Sequence, residues 1–234
     1  MRLEDKKTEK KKKKKTKETT ETEAPTTNEA ESPPIIVLNT PSKEEDIPKL
    51  RTMGIVGDIE EDKTSDILYS MLMMKQTSQK EVLVDPENLE AGTRMETEPF
   101  EIMISTYGGS AAEMFGIYDT MRRIQEDCPI YTCGVGKVMS AGVLLLAAGT
   151  KGHRRIGANC RVMVHDIRGG AGGDVSDIEN EFNEIKWTQD KYVELLANET
   201  DMTKNYIKKL LNKKVNSYFS AKEAVELGIA DEVF

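Results

Sequence analysis

Ser140 stands where a serine hydroxyl can act as a nucleophile. It follows the glycine-rich stretch that contains Gly134 and Gly136, and it directly precedes an apolar run, residues 141–149, that predicts a buried helix. Unpaired backbone N–H groups at the first turn of a helix can bind an anion, including the oxyanion of acyl transfer. Serine at this position is also a common N-cap. The stretch therefore predicts a glycine-rich turn that presents Ser140 either as a nucleophile or as a cap.

A serine nucleophile needs a base within hydrogen-bond reach, and His165 is the imidazole that suits this role. It ends an apolar segment, residues 162–164, that predicts a strand, and a glycine-rich segment, residues 169–173, follows closely. Functional residues often lie in such loops. The other histidine, His153, lies in a basic turn over residues 151–155 and is expected to be solvated.

A third group must hold the base in its correct tautomer. Side chains close to His165 and downstream of it can accept a hydrogen bond from an imidazole N–H. They are Asp166, Asp174, Asp177, Asp201 and Asn212. Spacing alone selects none of them.

A glycine pair, Gly108 and Gly109, marks a second junction between a strand and a helix. The alternating segment 100–105 predicts the strand, and apolar residues at helical spacing follow the pair. Ligands of open α/β sheets bind beyond the carboxyl ends of the strands. Because the Ser140 junction comes next in the chain, we expect the two junctions to be neighbours in space. A tight turn alone would also explain the glycines.

The predicted elements alternate between strand and helix, which indicates an α/β fold with a mainly parallel sheet covered by helices. The predicted helices cover residues 67–74, 111–128, 140–149, 174–197, 202–211 and 220–228. The predicted strands cover residues 53–57, 100–105, 130–133, 154–156, 161–165 and 229–234. The polar segment 81–99 is interpreted as a surface loop or a hairpin.

Composition divides the chain into three parts. Residues 1–34 form a charged, low-complexity arm that we expect to be disordered, residues 35–48 form a linker with one short apolar segment, and residues 49–234 form the folded domain. The arm carries ten basic and eight acidic residues, whereas the whole chain has a net charge of −8. The folded domain is therefore acidic, which argues against a nucleic-acid surface.

Other function classes are disfavoured by what the sequence lacks. Three cysteines without CxxC spacing indicate a reducing compartment and no disulfide framework, and the two histidines offer no zinc motif. No apolar run reaches the roughly 18 residues that a membrane span needs, and no secretory signal is recognisable at the N-terminus. The sequence thus predicts a cytoplasmic protein that binds neither a metal nor a membrane.

From about residue 53 to residue 233 the chain resembles the proteolytic subunit of the ATP-dependent Clp protease, the ClpP family. The resemblance rests on several motifs in the right order. They are YGGS at 107–110, GIYDTM at 116–121, SAG at 140–142, LLAAG at 145–149, RVMVH at 161–165 and SAKEAVELGIAD at 220–231. It implies the ClpP/crotonase-type α/β fold, with residues 174–197 as a protruding handle helix.

The resemblance also implies roles for individual residues and for the assembly. Ser140 matches the nucleophile of the family, His165 its general base, and the N–H groups of Gly109 and Ala141 its oxyanion hole. Family members stack as two heptameric rings, and partner AAA+ Clp ATPases feed them unfolded proteins. The apolar face of the handle would pack against the opposing ring, and residues 35–48 would supply an axial loop. The chain has no GxxxxGK[ST] motif, so ATP would be used only by the partner.

The third member of the family triad is an aspartate, and matching the segment before Ser220 places Asn212 there. An amide oxygen can orient a histidine but cannot stabilise an imidazolium by charge; such a change has lowered turnover about 10⁴-fold in a serine protease. The sequence thus predicts a Clp-type serine endopeptidase. The alternatives are a catalytically impaired ring subunit and a phage head-maturation peptidase of the same fold.

Overall fold

The computed structural model describes residues 50–213 and 215–234. The strands are β1 (Thr52–Val56), β2 (Gln79–Leu83), β3 (Thr93–Thr97), β4 (Phe100–Thr106), β5 (Ile130–Met139), β6 (Arg154–Ile156), β7 (Arg161–Val164), β8 (Ser217–Phe219) and β9 (Glu232–Val233). The helices are α1 (Glu61–Gln76), α2 (Ala111–Ile124), α3 (Ala141–Ala147), α4 (Val175–Glu199), α5 (Lys204–Leu211) and α6 (Ala221–Glu226). The arm predicted at 1–34 and the linker predicted at 35–48 lie outside the described residues.

A seven-stranded sheet lies at the centre of the described part of the chain. Strands β1, β4, β5, β6 and β9 pair in this order, and each of these pairs is parallel. The second half of β5 pairs with β7 instead of β6, and β8 joins β7 in antiparallel orientation. The predicted α/β fold with a mainly parallel sheet is confirmed.

The helices bury their apolar faces against this sheet. In α2 the side chains of Met114, Ile117, Met121 and Ile124 are almost completely buried, as their helical spacing predicts. Every residue of α3 is buried, because this helix lies in the middle of the core. The capping box predicted at Ser220 is present: its hydroxyl accepts from the N–H of Glu223, whose carboxylate accepts from the N–H of Ser220.

The sequence interpretation was wrong at two strands. The stretch before Ser140 was expected to be a glycine-rich turn after a strand over 130–133, but β5 continues through Gly134 and Gly136 to Met139. The continuation is stable because β7 takes over as partner of β5 where β6 ends. The second error is β8, which was not predicted because its three residues carry too little pattern to show a strand.

Segment 81–99, interpreted as a loop or hairpin, contains most of a hairpin. Strands β2 and β3 pair only with each other in the described structure, from Gln79 opposite Thr97 to Leu83 opposite Thr93. The N–H of Glu98 donates to the carbonyl of Ser78 at 2.8 Å, so the hairpin leaves and rejoins the body at one place.

Helix α4 has two different halves. Its N-terminal half exposes large apolar side chains, which are Val175, Ile178, Phe182 and Trp187. Its C-terminal half buries Tyr192, Val193 and Leu196 in the core. Asp174 caps the helix by accepting from the N–H of Asp177. In the described chain no helix, α4 included, is both long and apolar enough to cross a membrane.

Buried charges connect the end of α4 to the sheet. Arg154 in β6 is 4% exposed, and it donates to both carboxylate oxygens of Asp231 and to the carbonyls of Glu199 and Gly228. In α2 the hydroxyl of Tyr118 donates to the Glu199 carboxylate at 2.7 Å. Each buried ion thus has a hydrogen-bonding partner, which is the condition for tolerating charge in a core.

Candidate active site

Ser140 joins the end of β5 to the start of α3 in a strained backbone conformation. Its φ is 53° and its ψ is −119°, and among the described residues it is the only non-glycine residue with a positive φ. Its side chain makes no capping hydrogen bond, although it occupies the N-cap position of α3. The cap interpretation is therefore wrong. Strain of this kind costs about 1–3 kcal/mol and persists where neighbouring contacts enforce it, often at active sites.

Two neighbouring elements hold the backbone of Ser140. Its N–H donates to the carbonyl of Met163 in β7 at 2.8 Å. Its carbonyl accepts from the N–H of Val143 at 3.0 Å and from the hydroxyl of Tyr192 in α4 at 3.2 Å. The residue is thus fixed from the sheet on one side and from the long helix on the other.

The glycine pair, Gly108 and Gly109, packs directly against the junction at Ser140. Gly108 has a φ of 108°, and a Cβ there would lie 2.6 Å from the Cβ of Ser140. Gly109 has a φ of 153°, and a Cβ there would lie 2.0 Å from the carbonyl oxygen of Ile59. Both positions therefore require glycine for their conformation and for the close approach. The two predicted junctions are neighbours in space.

Two backbone donors remain unused at this place. The N–H groups of Gly109 and Ala141 have no hydrogen-bond acceptor within residues 50–213 and 215–234. Ala141 is the first residue of α3, where an N–H has no intrahelical partner. Gly109 and Ala141 line the same cavity as Ser140. The two N–H groups thus have the character of an oxyanion-binding pair.

His165 follows β7 and faces this cavity. Besides Ser140 and His165, the cavity is lined by Gly109, Ala111, Met114, Ala141, Ile167 and Tyr192. The Nδ1 atom of His165 lies 2.5 Å from the carbonyl oxygen of Asp166. A carbonyl can only accept, so this contact places the proton on Nδ1 and leaves Nε2 free as a base. Within the described residues the Ser140 hydroxyl has no hydrogen bond to the histidine, a geometry that is frequent before substrate binds.

The candidate orienting groups do not reach the His165 ring with their side chains. Asp174 caps α4, and hydrogen bonds from Ser176 and from the backbone of Asp177 lower the pKa of its carboxyl. The carboxylate of Asp201 lies against Gly228. Asp166 contacts the ring only through its carbonyl, and its Oδ1 is buried without a partner in the described structure.

Asn212 is not placed at His165 either. It is exposed at the C-terminal end of α5, where its N–H donates to the carbonyl of Lys208, and it does not line the cavity. Asn212, predicted as the third member of the triad, therefore has no contact with His165 in the described structure.

A different asparagine, Asn216, directly precedes β8. In the antiparallel pair of β7 and β8, Val164 stands opposite Ser217. Continued by one residue beyond both strands, this register would place Asn216 opposite His165, although Asn216, like Asn212, is exposed and does not line the cavity. The Asn216 carbonyl oxygen accepts from Arg168 at 3.4 Å, and its amide donates to the hydroxyl of Tyr218 at 3.4 Å.

The site contains no recognisable place for a metal. Nowhere in the described structure do three or more His, Cys, Asp or Glu side chains come together at metal-binding distance. The chemical groups that do converge are a free hydroxyl, a half-buried imidazole and two unpaired N–H groups. This set is typical of covalent acyl transfer.

Comparison with known proteins agrees with this interpretation of the site. The family model described as Clp protease matches residues 89–234. Proteolytic subunit 1 of the ATP-dependent Clp protease from Prochlorococcus marinus (strain NATL2A) is 38% identical over 133 residues, which are 57% of this chain and 66% of the relative. Its namesake from Salinibacter ruber (strain DSM 13855 / M31) is 36% identical over 137 residues, 58% of this chain and 57% of the relative. The matched part thus spans somewhat less than two thirds of these relatives.

Proposed function

The chain belongs to the Clp protease family, and from that premise we propose that it is a serine endopeptidase that hydrolyses peptide bonds. The proposal rests on the junction at Ser140. Its hydroxyl makes no capping hydrogen bond, and Ser140 shares a cavity with His165 and with the two residues whose N–H groups are unpaired. A serine that served only as a helix cap would use its hydroxyl for the backbone and would need no strained φ.

The reaction follows from the positions of these groups. Nε2 of His165 takes the proton from the Ser140 hydroxyl as the serine oxygen attacks the substrate carbonyl carbon. The substrate carbonyl oxygen becomes negatively charged during the attack, and it accepts hydrogen bonds from the N–H groups of Gly109 and Ala141. His165 then gives its proton to the leaving amine, and water releases the acyl group from Ser140 by the same steps in reverse order.

The cavity beside the nucleophile favours apolar substrate residues. Ala111, Met114 and Ile167 contribute apolar lining, and the Tyr192 hydroxyl is already engaged with the Ser140 carbonyl. A charged substrate side chain would lose its hydration here without gaining a partner. Peptides with an apolar residue on the acyl side of the scissile bond are therefore the substrates to test first.

The decisive experiment is hydrolysis of a short fluorogenic peptide of this kind by the purified chain and by Ser140→Ala. We expect the parent to cleave the peptide and Ser140→Ala to lose at least about 10³-fold in kcat/KM. A fluorophosphonate probe should label Ser140 in the parent alone. Equal cleavage by both proteins, or labelling at another residue, would contradict the proposal.

For the third position of the triad we propose Asn216 in place of Asn212. A carboxylate opposite His165 would stabilise the imidazolium that forms during attack, so Asn216→Asp should raise kcat about 10-fold or more. Asn212→Asp is the matched control, because it adds the same charge at a position that the register of β7 and β8 does not bring opposite His165, and it should leave kcat within about twofold. A gain with Asn212→Asp alone would restore the sequence interpretation.

A second candidate is a ring subunit with impaired catalysis. It is favoured by one observation, the contact of His165 Nδ1 with a backbone carbonyl and not with a carboxylate. This case would be identified if the parent chain does not cleave the fluorogenic peptide and Asn216→Asp does. The chain would then contribute structure to an assembly whose other subunits do the chemistry.

The assembly is also part of the proposal. We propose that copies of the chain form stacked rings, with seven subunits each as in the family, and that an AAA+ Clp ATPase delivers unfolded proteins to the enclosed sites. The apolar side chains exposed along the first half of α4 support self-association, because large exposed apolar surfaces usually mark interfaces. A solution mass of fourteen subunits would agree with this arrangement.

A further inference from the structure

Tyr192 connects the long helix to the nucleophile residue through one hydrogen bond. It lies in the buried half of α4, is 2% exposed, and its hydroxyl oxygen is 3.2 Å from the carbonyl oxygen of Ser140. Burial raises the pKa of Tyr192, so the phenol is neutral at any working pH and acts as the donor of this bond. The hydroxyl has no other hydrogen-bond partner in the described residues.

The acceptor of this bond belongs to the peptide unit that supplies half of the oxyanion hole. The carbonyl of Ser140 and the N–H of Ala141 are the two ends of one planar amide. A hydrogen bond that the oxygen accepts draws electrons toward it and makes the N–H at the other end a better donor. The same bond fixes the plane of the amide, and with it the direction of the N–H.

This peptide unit needs to be held, because the residue before it is strained. Ser140 has a φ of 53°, a conformation that a non-glycine residue leaves unless its surroundings prevent it. The N–H of Val143 is the second donor to the Ser140 carbonyl, so together with Tyr192 it occupies both lone pairs of the oxygen. Val143 belongs to the same helix turn, whereas Tyr192 anchors the amide to a different element.

We propose that Tyr192 is a positioning residue that orients and polarises the Ser140–Ala141 peptide so that the Ala141 N–H stabilises the oxyanion. The inference rests on the proposed peptidase function and deepens it. Its consequence is that the oxyanion hole depends on the seating of α4 in the core. A tyrosine that only filled space would contribute through its ring and not through its hydroxyl.

The test is Tyr192→Phe in the full chain, which removes one oxygen and keeps the ring. We expect kcat for the fluorogenic peptide to fall about 10-fold with KM within about twofold, since the bond acts on the transition state through the Ala141 N–H. The affinity of a peptide boronate, which forms a tetrahedral adduct on serine, should fall by a similar factor. The affinity of the corresponding product peptide should stay unchanged.

Tyr118→Phe is the matched control. It also removes a buried tyrosine hydroxyl, one that donates to Glu199 and has no part in the cavity. Its kcat and boronate affinity should equal those of the parent even though its thermal stability falls. Equal losses of kcat in both variants, or an unchanged boronate affinity in Tyr192→Phe, would overturn the inference.

The outcomes also separate this inference from the proposal on which it rests. A parent chain that neither cleaves the peptide nor reacts with the fluorophosphonate at Ser140 would overturn the peptidase function, and the role of Tyr192 with it. A parent that cleaves and is labelled, beside a Tyr192→Phe variant with parental kcat, would overturn only the role of Tyr192.

Discussion

At the scale of single residues, the conformation of Ser140 is the feature that separates a functional serine from a structural one. Its hydroxyl caps nothing, its φ is positive, and β7 and α4 both hold its backbone. A folded protein retains such strain when the rest of the structure enforces it. The stability of the chain is therefore reduced at this residue in favour of the geometry of the site.

This strain predicts a stability difference between two inactive variants. Glycine adopts the Ser140 conformation without a Cβ penalty, whereas alanine keeps the penalty. The free energy of unfolding of Ser140→Gly should exceed that of Ser140→Ala by about 1 kcal/mol, after the larger unfolded-state entropy of glycine is included. Urea unfolding of the two proteins under the same conditions measures the difference.

The control for this comparison is an unstrained, exposed helical serine. In α1, Ser65→Gly should be less stable than Ser65→Ala by about 0.5–1 kcal/mol, because glycine weakens a helix interior. The sign of the difference should thus reverse between positions 140 and 65. Glycine lowering stability at both positions would mean that Ser140 carries no strain.

At the scale of elements, the pair of Arg154 and Asp231 joins β6 to the segment that leads into β9. Although burial alone would raise the pKa of Asp231, hydrogen bonds from the side chain and backbone of Arg154 and the charge of its guanidinium lower it below its ordinary value. A carboxyl with a lowered folded-state pKa stabilises the fold above its unfolded pKa. That contribution is lost as the pH falls through the folded pKa.

Asp231→Asn should therefore destabilise the protein at pH 7 by about 3 kcal/mol, because Arg154 is left as a buried, unpaired cation. The difference between the two proteins should start to shrink below about pH 4, where the carboxyl of the unfolded chain takes up its proton, and it should vanish only below the lowered folded-state pKa. Chemical unfolding at pH 7 and at several acidic pH values measures both effects.

Glu232→Gln is the matched control, since its partner Arg155 is 3.8 Å away and both side chains are largely exposed. This variant should stay within about 0.5 kcal/mol of the parent at every pH. A loss as large as that of Asp231→Asn would show that net charge, and not the buried contact, is responsible.

The elements that the sequence predicted well are those whose signals are local. The apolar face of α2, the Asp174 end of α4 and the capping box of α6 each depend on residues within one or two helical turns. The second half of β5 and the whole of β8 depend on pairing with β7, which is distant in the chain. Such contacts leave little trace in a short stretch of sequence.

The same distinction applies to the candidate site. Ser140, His165, Gly109 and Ala141 follow predicted strands, and the structure brings all four to one cavity. The partner that we propose for His165 follows from the register of an antiparallel strand pair, so spacing along the chain could not suggest it. Counting from Ser220 led to Asn212, while the register of β7 and β8 leads to Asn216.

At the scale of the whole molecule, the first half of α4 is an apolar surface that a single copy leaves uncovered. The side chains of Phe182 and Trp187 are 57% and 59% exposed, which is unfavourable for large apolar groups in water. If the proposed rings stack through this helix, burial of these side chains supplies part of the association free energy.

Phe182→Glu should therefore halve the mass of the assembly. A charge placed in an apolar contact loses its hydration without a partner, so stacking should fail while each ring persists. Native mass spectrometry and light scattering measure the mass. Met95→Glu is the control, because it places the same charge on a 60% exposed apolar residue of the hairpin. Loss of assembly in both variants would show that α4 has no special role.

The hairpin of β2 and β3 is a segment whose length could be changed with little effect on the rest of the fold. Since the backbones of Ser78 and Glu98 are already hydrogen bonded, the path of the chain on either side does not depend on what is inserted between them. Shortening or lengthening a hairpin whose ends are already joined changes the loop-closure free energy only slightly. The hairpin is thus a suitable place to insert a fluorophore or an affinity tag, because none of its residues lines the cavity that contains Ser140.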